Sequence, residues 1–160
     1  MYKHILVPTD GSPLSIKAAK AAAKLASEVG ARITAVYVVP PYAPSLSSDG
    51  MGGFSEMYSM RNYQKAMRGV ADKAIAETVA AAKSAGIKAS SVVIDDRQPW
   101  QGIVAAAKSE KCDLIAMATH GHKLIGDVVY GSVANEVRHR SMVPVLLVRA
   151  PAASRKTPVT

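Results

Sequence analysis

The stretch CDLIAMATHG at residues 112–121 is a short apolar run that ends in a threonine, a histidine and a glycine. An apolar run of roughly four to eight residues bounded by polar or turn-forming residues is typical of a strand that is buried on both faces. Four further runs of this kind occur, and together they predict strands at residues 4–7, 33–39, 91–94, 113–118 and 143–148. Such strands indicate a parallel sheet covered by helices on each side.

Helical patterns separate these strands. The first helix has Ser12 as N-cap and Pro13 as its first residue, and Gly30 follows it at a position suited to the left-handed conformation. Three further helices are predicted, one from near residues 54–63 to Gly86, one at 99–107 and one at 132–140. The alternation predicts an α/β fold of three layers with a doubly wound parallel sheet, in which ligands bind at the carboxyl ends of the strands.

The composition suits one folded domain: 160 residues, of which 49% are hydrophobic and 20% charged. One cysteine, Cys112, excludes an internal disulfide framework and a zinc site built from several cysteines. No apolar run approaches the roughly 18–20 residues that cross a bilayer. Residues 1–8 are broken too soon by Pro8 to form a secretory signal. We therefore expect a cytoplasmic protein that has no membrane contact.

The chain carries 20 Lys and Arg against 12 Asp and Glu, a net charge of +8. A basic balance invites a nucleic-acid partner. The cations are scattered along helix faces, however, and aromatic residues make up only 5% of the chain, so side chains that could stack on bases are scarce. We do not expect nucleic acid to be the main partner.

Two polar segments follow predicted strands and are candidates for ligand binding. Asp10 stands just after the first strand, where its carboxylate either accepts hydrogen bonds from a ribose hydroxyl or an adenine amine, or caps a turn. After the fourth strand comes Gly121, and Gly131-Ser132 stands at a helix start. Glycines let main-chain N–H groups approach an anion, and a helix N-terminus adds roughly half a positive charge. The segment contains neither a Walker A loop nor the GxGxxG dinucleotide motif.

Three segments in this order resemble the universal stress protein family: HILVPTDGS at 4–12, CDLIAMATHG at 112–121, and GSVANEV at 131–137 followed by VPVLLV at 143–148. The resemblance covers about residues 2–149 and implies one such domain over residues 1–149, with residues 150–160 as a flexible tail. It also implies a five-stranded parallel sheet in the order 3-2-1-4-5, an adenine nucleotide alpha hydrolase-like fold. A homodimer that pairs the last strands, Val143 to Val148, edge to edge is implied as well.

Many members of that family bind ATP through Gly-x2-Gly-x9-Gly-Ser/Thr. Carried over, the motif falls on Gly121, Gly131 and Ser132, but its first position holds Ala118. An alanine costs about 1 kcal/mol or more where φ must be positive. Because Ala118 ends a predicted strand, we expect an extended backbone there and a small cost.

The same resemblance assigns positions to the ligand. Thr9 and Asp10 should border the adenosine, main-chain groups near Val38 should read the adenine edge, and the Val133 N–H should help to hold phosphate. The predicted cofactor-binding residues are therefore Pro8, Thr9, Asp10, Val38, Met117, Ala118, Gly121, His122, Gly131, Ser132 and Val133.

Other reactive side chains have simpler interpretations. His120 and His122 could bind zinc as a pair, but no third ligand is evident, and His122 fits better beside phosphates. We expect His4 and His139 to be half-exposed, and Cys112 to be a small core residue rather than a nucleophile. The methionine-rich segment from Met51 to Met67 is interpreted as a loop folded onto the sheet edge, with a lid over the nucleotide or a partner surface as the alternative.

The resemblance thus predicts a cytoplasmic stress-response module that binds ATP or AMP, with Mg²⁺ or Mn²⁺ as a possible companion, and acts on a protein partner that the sequence does not name. Three alternatives stay open. One is an interaction module of the same family that has lost nucleotide binding, for which Ala118 is the best support. Another is slow ATP hydrolysis or autophosphorylation, although no general base or metal-holding carboxylate stands in the glycine loop. The third is binding of nucleic acid through the basic surface.

Overall fold

The computed structural model describes residues 1–42, 52–95, 98–119 and 131–149. For residues 52–56 it describes the backbone only. Within the described residues five strands alternate with four helices. The elements are β1 (His4–Pro8), α1 (Pro13–Val29), β2 (Arg32–Val39), α2 (Gly52–Ser84), β3 (Ala89–Asp95), α3 (Pro99–Ser109), β4 (Leu114–Ala118), α4 (Ser132–Arg140) and β5 (Val145–Val148). None of the described helices is long and apolar enough to cross a membrane.

All described strands are parallel and lie in the order β3-β2-β1-β4-β5. The first strand of the chain is therefore the middle strand of the sheet. Its Ile5 is in register with Ile33 of β2 on one side and with Leu114 of β4 on the other. The strand order 3-2-1-4-5 that the resemblance implied is confirmed.

Side chains of alternate strand residues enter two separate cores, because successive residues point to opposite faces of a strand. Ile5 and Val7 pack with Ala19 and Ala22 of α1 on the face that α2 also covers. Leu6 packs on the opposite face with residues of α3 and α4. Helices on both sides of one sheet give the three layers that the sequence predicted.

The capping of α1 follows the sequence closely. The Ser12 hydroxyl oxygen accepts a hydrogen bond from the Ser15 N–H at 3.2 Å, and Pro13 is the first helical residue. Gly30 ends the helix at φ 71°, in the left-handed region that glycine adopts without a side-chain penalty.

Several element boundaries differ from the prediction. β4 begins at Leu114 rather than at Asp113, because the Asp113 carboxylate accepts hydrogen bonds from the main-chain N–H groups of Lys3 and His4 at 2.8 and 3.0 Å. β5 begins at Val145, since Pro144 has no N–H to give to a strand. α2 already begins at Gly52.

Two predictions about single residues have opposite outcomes. Cys112 is buried in the core beside α3, and its burial, with the nearby acidic groups Glu110 and Asp113, raises the pKa of its thiol to about 12, so it is a core residue as expected. The expectation that His4 is half-exposed is wrong. Its side chain is buried in the sheet, because Thr34 and Arg32 of β2 supply partners for both ring nitrogens.

Candidate functional site

A cavity of about 560 Å³ lies at the carboxyl edge of the sheet. The ends of β1, β2 and β4 and the first turns of α3 and α4 contribute to its walls. From β1 the chain adds β2 and β3 on one side of the sheet and then returns to add β4 and β5 on the other side. The order of the strands therefore reverses between β1 and β4. Open parallel sheets bind ligands at such a point.

The segment after β1 is held by its own hydrogen bonds. The Thr9 N–H donates to the carbonyl of Val36 at 3.0 Å, and the Thr9 hydroxyl lies 3.2 Å from the hydroxyl of Ser15. One carboxylate oxygen of Asp10 accepts the Ser12 N–H at 2.9 Å. Asp10 therefore does cap the turn, and it also lines the cavity, so binding a ligand through this carboxylate stays a prediction.

Gly11 completes this turn. Its φ is +77°, and its N–H donates to the Thr9 hydroxyl oxygen at 3.2 Å. A Cβ added at Gly11 would lie 3.4 Å from the Cβ of Ala74 in α2. The loop that presents Asp10 is thus packed against a helix and has a fixed shape.

The end of β2 separates two environments. Val36 and Val38 pack on the α3 side, whereas Tyr37 packs on the α2 side with Ala71 and Ala74. Burial raises the pKa of Tyr37, and the negative charge of Asp10 adds to this effect. All three β2 residues also line the cavity.

The end of β4 meets the start of α4 across one short contact. The Gly131 N–H donates to the carbonyl of Thr119 at 2.6 Å, and the Thr119 N–H donates to Val148 at 3.0 Å. Ala118 is paired with Val148 in the β4–β5 ladder and has no positive φ. The expectation of an extended backbone at Ala118 is confirmed, so its methyl group introduces no backbone strain.

The N-terminus of α4 opens on the cavity. Gly131 is its N-cap and gives the helix no side-chain cap, and the first turn holds no acidic side chain. The N–H groups at the start of a helix point outward along its axis and carry partial positive charge. Gly131, Ser132 and Val133 line the cavity here.

Sequence reasoning missed one wall of the cavity. Pro99 and Ile103 of α3 line it opposite the strand ends, with Val36 and Met117 beside them. These residues form an apolar surface suited to a flat ring. The sequence signal that could have indicated Pro99 and Ile103 is the crossover from β3 to β4. A right-handed crossover places α3 over this end of β2.

Nine of the predicted cofactor-binding residues line this one cavity: Pro8, Thr9, Asp10, Val38, Met117, Ala118, Gly131, Ser132 and Val133. Gly121 and His122, as well as His120, lie outside the described residues. No group of three possible metal ligands occurs in the part of the chain that the structure describes. Among the described lining residues Asp10 is the only charged one.

Comparison with known proteins gives a consistent assignment. The model of the universal stress protein family matches residues 1–149. The chain belongs to the universal stress protein family. Two relatives are each 32% identical: a universal stress protein of Methanocaldococcus jannaschii, aligned over 94% of this chain and 84% of its own, and one of Thermus aquaticus, over 93% and 100%.

Solved structures share the fold of this universal stress protein. A hypothetical protein solved as a structural-genomics test case superposes with a TM-score of 0.78 at 24% identity, over 96% of this chain and 99% of its own. A universal stress protein solved in complex with cAMP has a TM-score of 0.61 at 23% identity, over 92% and 97%. One from Archaeoglobus fulgidus in complex with dAMP has a TM-score of 0.60 at 18% identity, over 91% and 97%.

Proposed function

We propose that this universal stress protein binds an adenine nucleotide, ATP or AMP, in the cavity at the carboxyl edge of the sheet. The observation that carries the proposal is the position of the α4 N-terminus, which lines the same cavity as Asp10. The helix N-terminus suits the anionic phosphates of a nucleotide, and the carboxylate suits its ribose hydroxyls. Relatives of the same fold were solved with cAMP and dAMP.

The lining divides according to the parts of such a ligand. The base lies against Pro99, Ile103 and Met117, and main-chain groups near Val38 read its edge. Asp10 and Thr9 border the ribose. The phosphates lie beside Gly131 on the N–H groups of Ser132 and Val133, because the Gly131 N–H already donates to the Thr119 carbonyl. Gly121 and His122, outside the described residues, stay predicted contacts of this end. Because Asp10 is the only charged residue in the described lining, Mg²⁺ or Mn²⁺ is a suitable companion for a triphosphate.

In the proposed role, the protein acts in the cytoplasm during stress. It contacts a partner protein differently when nucleotide is bound and when it is not. Nucleotide occupancy changes the segment after β4, and with it a surface that the partner contacts. The protein works as a homodimer that pairs the β5 edges. β5 is the last strand of the sheet, and its Leu146 side chain is 38% exposed.

The first experiment is calorimetric titration of the full chain with ATP, AMP and adenosine in the presence of Mg²⁺. We expect ATP and AMP to bind, and adenosine to bind more weakly because it offers nothing to the α4 N-terminus. Failure of both nucleotides to bind folded protein at millimolar concentration would remove the proposal. The nucleotide-free interaction module would then be the remaining interpretation. Steady release of ADP above the protein-free blank would instead favour a slow ATPase.

A pair of variants tests the phosphate end. Gly131 has φ −48° and ψ 133°, the extended conformation that a following proline requires. Ser132→Pro therefore places proline at the first position of α4, where it is tolerated, and removes one N–H and one hydroxyl. Ser132→Ala removes only the hydroxyl. We expect Ser132→Pro to weaken ATP binding by about tenfold more than Ser132→Ala, as for loss of one charge-assisted hydrogen bond, with adenosine binding unchanged. Equal effects on ATP and adenosine would contradict the assignment.

A further inference from the structure

The face of α2 that packs on the core carries two further apolar residues beyond it, Met57 and Met60, after one interruption at the exposed Gln64. Ala71, Ala74 and Thr78 are buried on the face that packs against the sheet and α1. Met60 stands eleven residues before Ala71, which is three helical turns, and so lies on the same face. Met57 lies beside it, one turn earlier. Yet Met57 is 59% and Met60 44% exposed.

The reason is that α2 extends past the edge of the sheet. The Tyr63 hydroxyl donates to the carbonyl of Pro40 at 2.7 Å, and Pro40 directly follows the end of β2. The Tyr63 ring also packs on Tyr42, with ring centroids 5.4 Å apart. Residues before Tyr63 thus lie beyond the strand ends, where no described part of the sheet is left to cover Met57 and Met60. At 1.5 Å per residue this extension is about 16 Å long.

A row of cations runs along one side of the exposed stripe. Arg61, Lys65 and Arg68 follow one another at spacings of four and three residues, on the flank next to Met57. All three are exposed. Among the side chains that the structure describes on α2, the acidic one nearest this row is Asp72, whose carboxylate lies 3.9 Å from Arg68, with both side chains 68% exposed. Such an exposed pair is weak, at most about 1 kcal/mol, so the row stays positive.

Among the side chains that the structure describes from Met57 to Val70, none on the opposite flank is charged: Ser59, Ala66 and Val70 stand there. The basic row decides against a second copy of α2 that packs antiparallel on the stripe. Two antiparallel helices that pack face to face bring the same flank of each together, and the basic row of one copy would oppose that of the other. Like charges at such positions are destabilising.

We propose that the exposed stripe of α2, Met57 and Met60 with the row Arg61, Lys65 and Arg68, binds an amphipathic helix of a partner protein whose polar flank is acidic. Methionine side chains adapt to varied apolar partners, and a helix laid against an apolar stripe is a common recognition mode. The basic row fixes the orientation of the partner and speeds its approach. None of these five residues lines the nucleotide cavity.

The test uses two synthetic helical peptides with the same leucine stripe, one with glutamates and one with lysines along one flank. Each carries a fluorophore, and binding to the full chain is followed by anisotropy. We expect the acidic peptide to bind with a dissociation constant on the order of 10 μM and at least about tenfold more tightly than the basic one. The difference shrinks at high salt, because exposed charges are screened.

Two sets of variants separate the apolar from the charged contribution. Met57→Ser with Met60→Ser weakens binding of the acidic peptide about tenfold. Charge reversal of Arg61, Lys65 and Arg68 to Glu abolishes the preference for it. A matched control reverses the exposed Lys73, Lys83 and Lys108 to Glu, which changes the net charge equally and leaves the preference intact. All these side chains are exposed, so the variants keep their fold, and thermal unfolding checks this.

Four outcomes would overturn the proposal. The first is equal binding of the two peptides, and the second is an undiminished preference after charge reversal of the row. The third is binding to anionic lipid vesicles with no binding to the acidic peptide, which would make the stripe a membrane contact. The fourth is self-association that Met57→Ser with Met60→Ser abolishes, which would place a second copy of the chain on the stripe.

Discussion

The Nε2 atom of His4 lies 2.7 Å from the Oγ1 atom of Thr34 inside the sheet. The guanidinium of Arg32 lies 3.2 Å from Nδ1, the other ring nitrogen. A guanidinium can only donate, so Nδ1 accepts and Nε2 carries the proton that Thr34 accepts. The Thr34 hydroxyl oxygen is also 2.8 Å from that of Ser90. The chain of hydrogen bonds across β1, β2 and β3 therefore requires a neutral His4.

Acid should destabilise the fold through His4. Burial, and then the Arg32 charge, lower the pKa of His4 below 6.5, whereas Glu110 and Asp113 oppose this shift. The unfolded state binds the proton more readily, so the stabilising contribution of neutral His4 is complete above about pH 6.5 and is lost as the pH falls toward the lowered value. We expect the free energy of unfolding in urea to be smaller at about pH 5 than at about pH 8. In His4→Gln this difference should shrink, and an unchanged pH dependence in the variant would contradict the assignment.

Variants of Gly11 and Gly30, which both have positive φ, distinguish an effect of backbone strain from an effect on nucleotide binding. Gly11→Ala and Gly30→Ala each force alanine into the left-handed region, at φ +77° and +71°. Each should cost about 1 kcal/mol of unfolding free energy. Only Gly11 belongs to the loop that presents Asp10, and its N–H donates to the Thr9 hydroxyl. Nucleotide affinity should fall several-fold in Gly11→Ala alone, and calorimetry checks this. Equal affinities in the two variants would show that the loop does not contribute.

The alanine at the first motif position should be neutral for binding. Because Ala118 has extended backbone in the ladder with Val148, Ala118→Gly relieves no strain and should change ATP affinity less than about twofold. Ala118→Leu adds three carbons to a residue that lines the cavity and should weaken binding by more than about tenfold. A large gain in affinity for Ala118→Gly would show that the methyl group obstructs the ligand.

The exposed edge of β5 should mediate the homodimer. Leu146 lies at the centre of the β5 edge and is 38% exposed, and a charge on an edge strand opposes pairing with another strand. We expect Leu146→Lys to convert a dimer to a monomer in analytical ultracentrifugation. Met142→Lys is the control, since Met142 is 96% exposed and precedes the strand. A wild-type monomer, or a dimer that tolerates Leu146→Lys, would contradict this arrangement.

The parts of the molecule that were predictable depend on local chemistry. Ser12 and Gly30 were correctly placed at the ends of α1, since a hydroxyl cap and a left-handed glycine act within one turn. The start of β4 was misplaced by one residue, because the carboxylate of Asp113 bonds to residues that are distant in sequence. His4 was misjudged for the same reason, and Ile103 reaches the cavity only through tertiary packing. Local patterns do not encode contacts of this kind.

The central position of β1 has a consequence for the newly made chain. Its partner on one side, β2, follows within the next few dozen residues, but the partner on the other side, β4, is completed only when synthesis passes Ala118. Until then the middle strand presents bare amide and carbonyl groups along one edge, and the apolar residues meant for α3 and α4 face solvent. A nascent polypeptide of this topology is exposed to wrong strand pairing and to capture by chaperones while the ribosome finishes the second half.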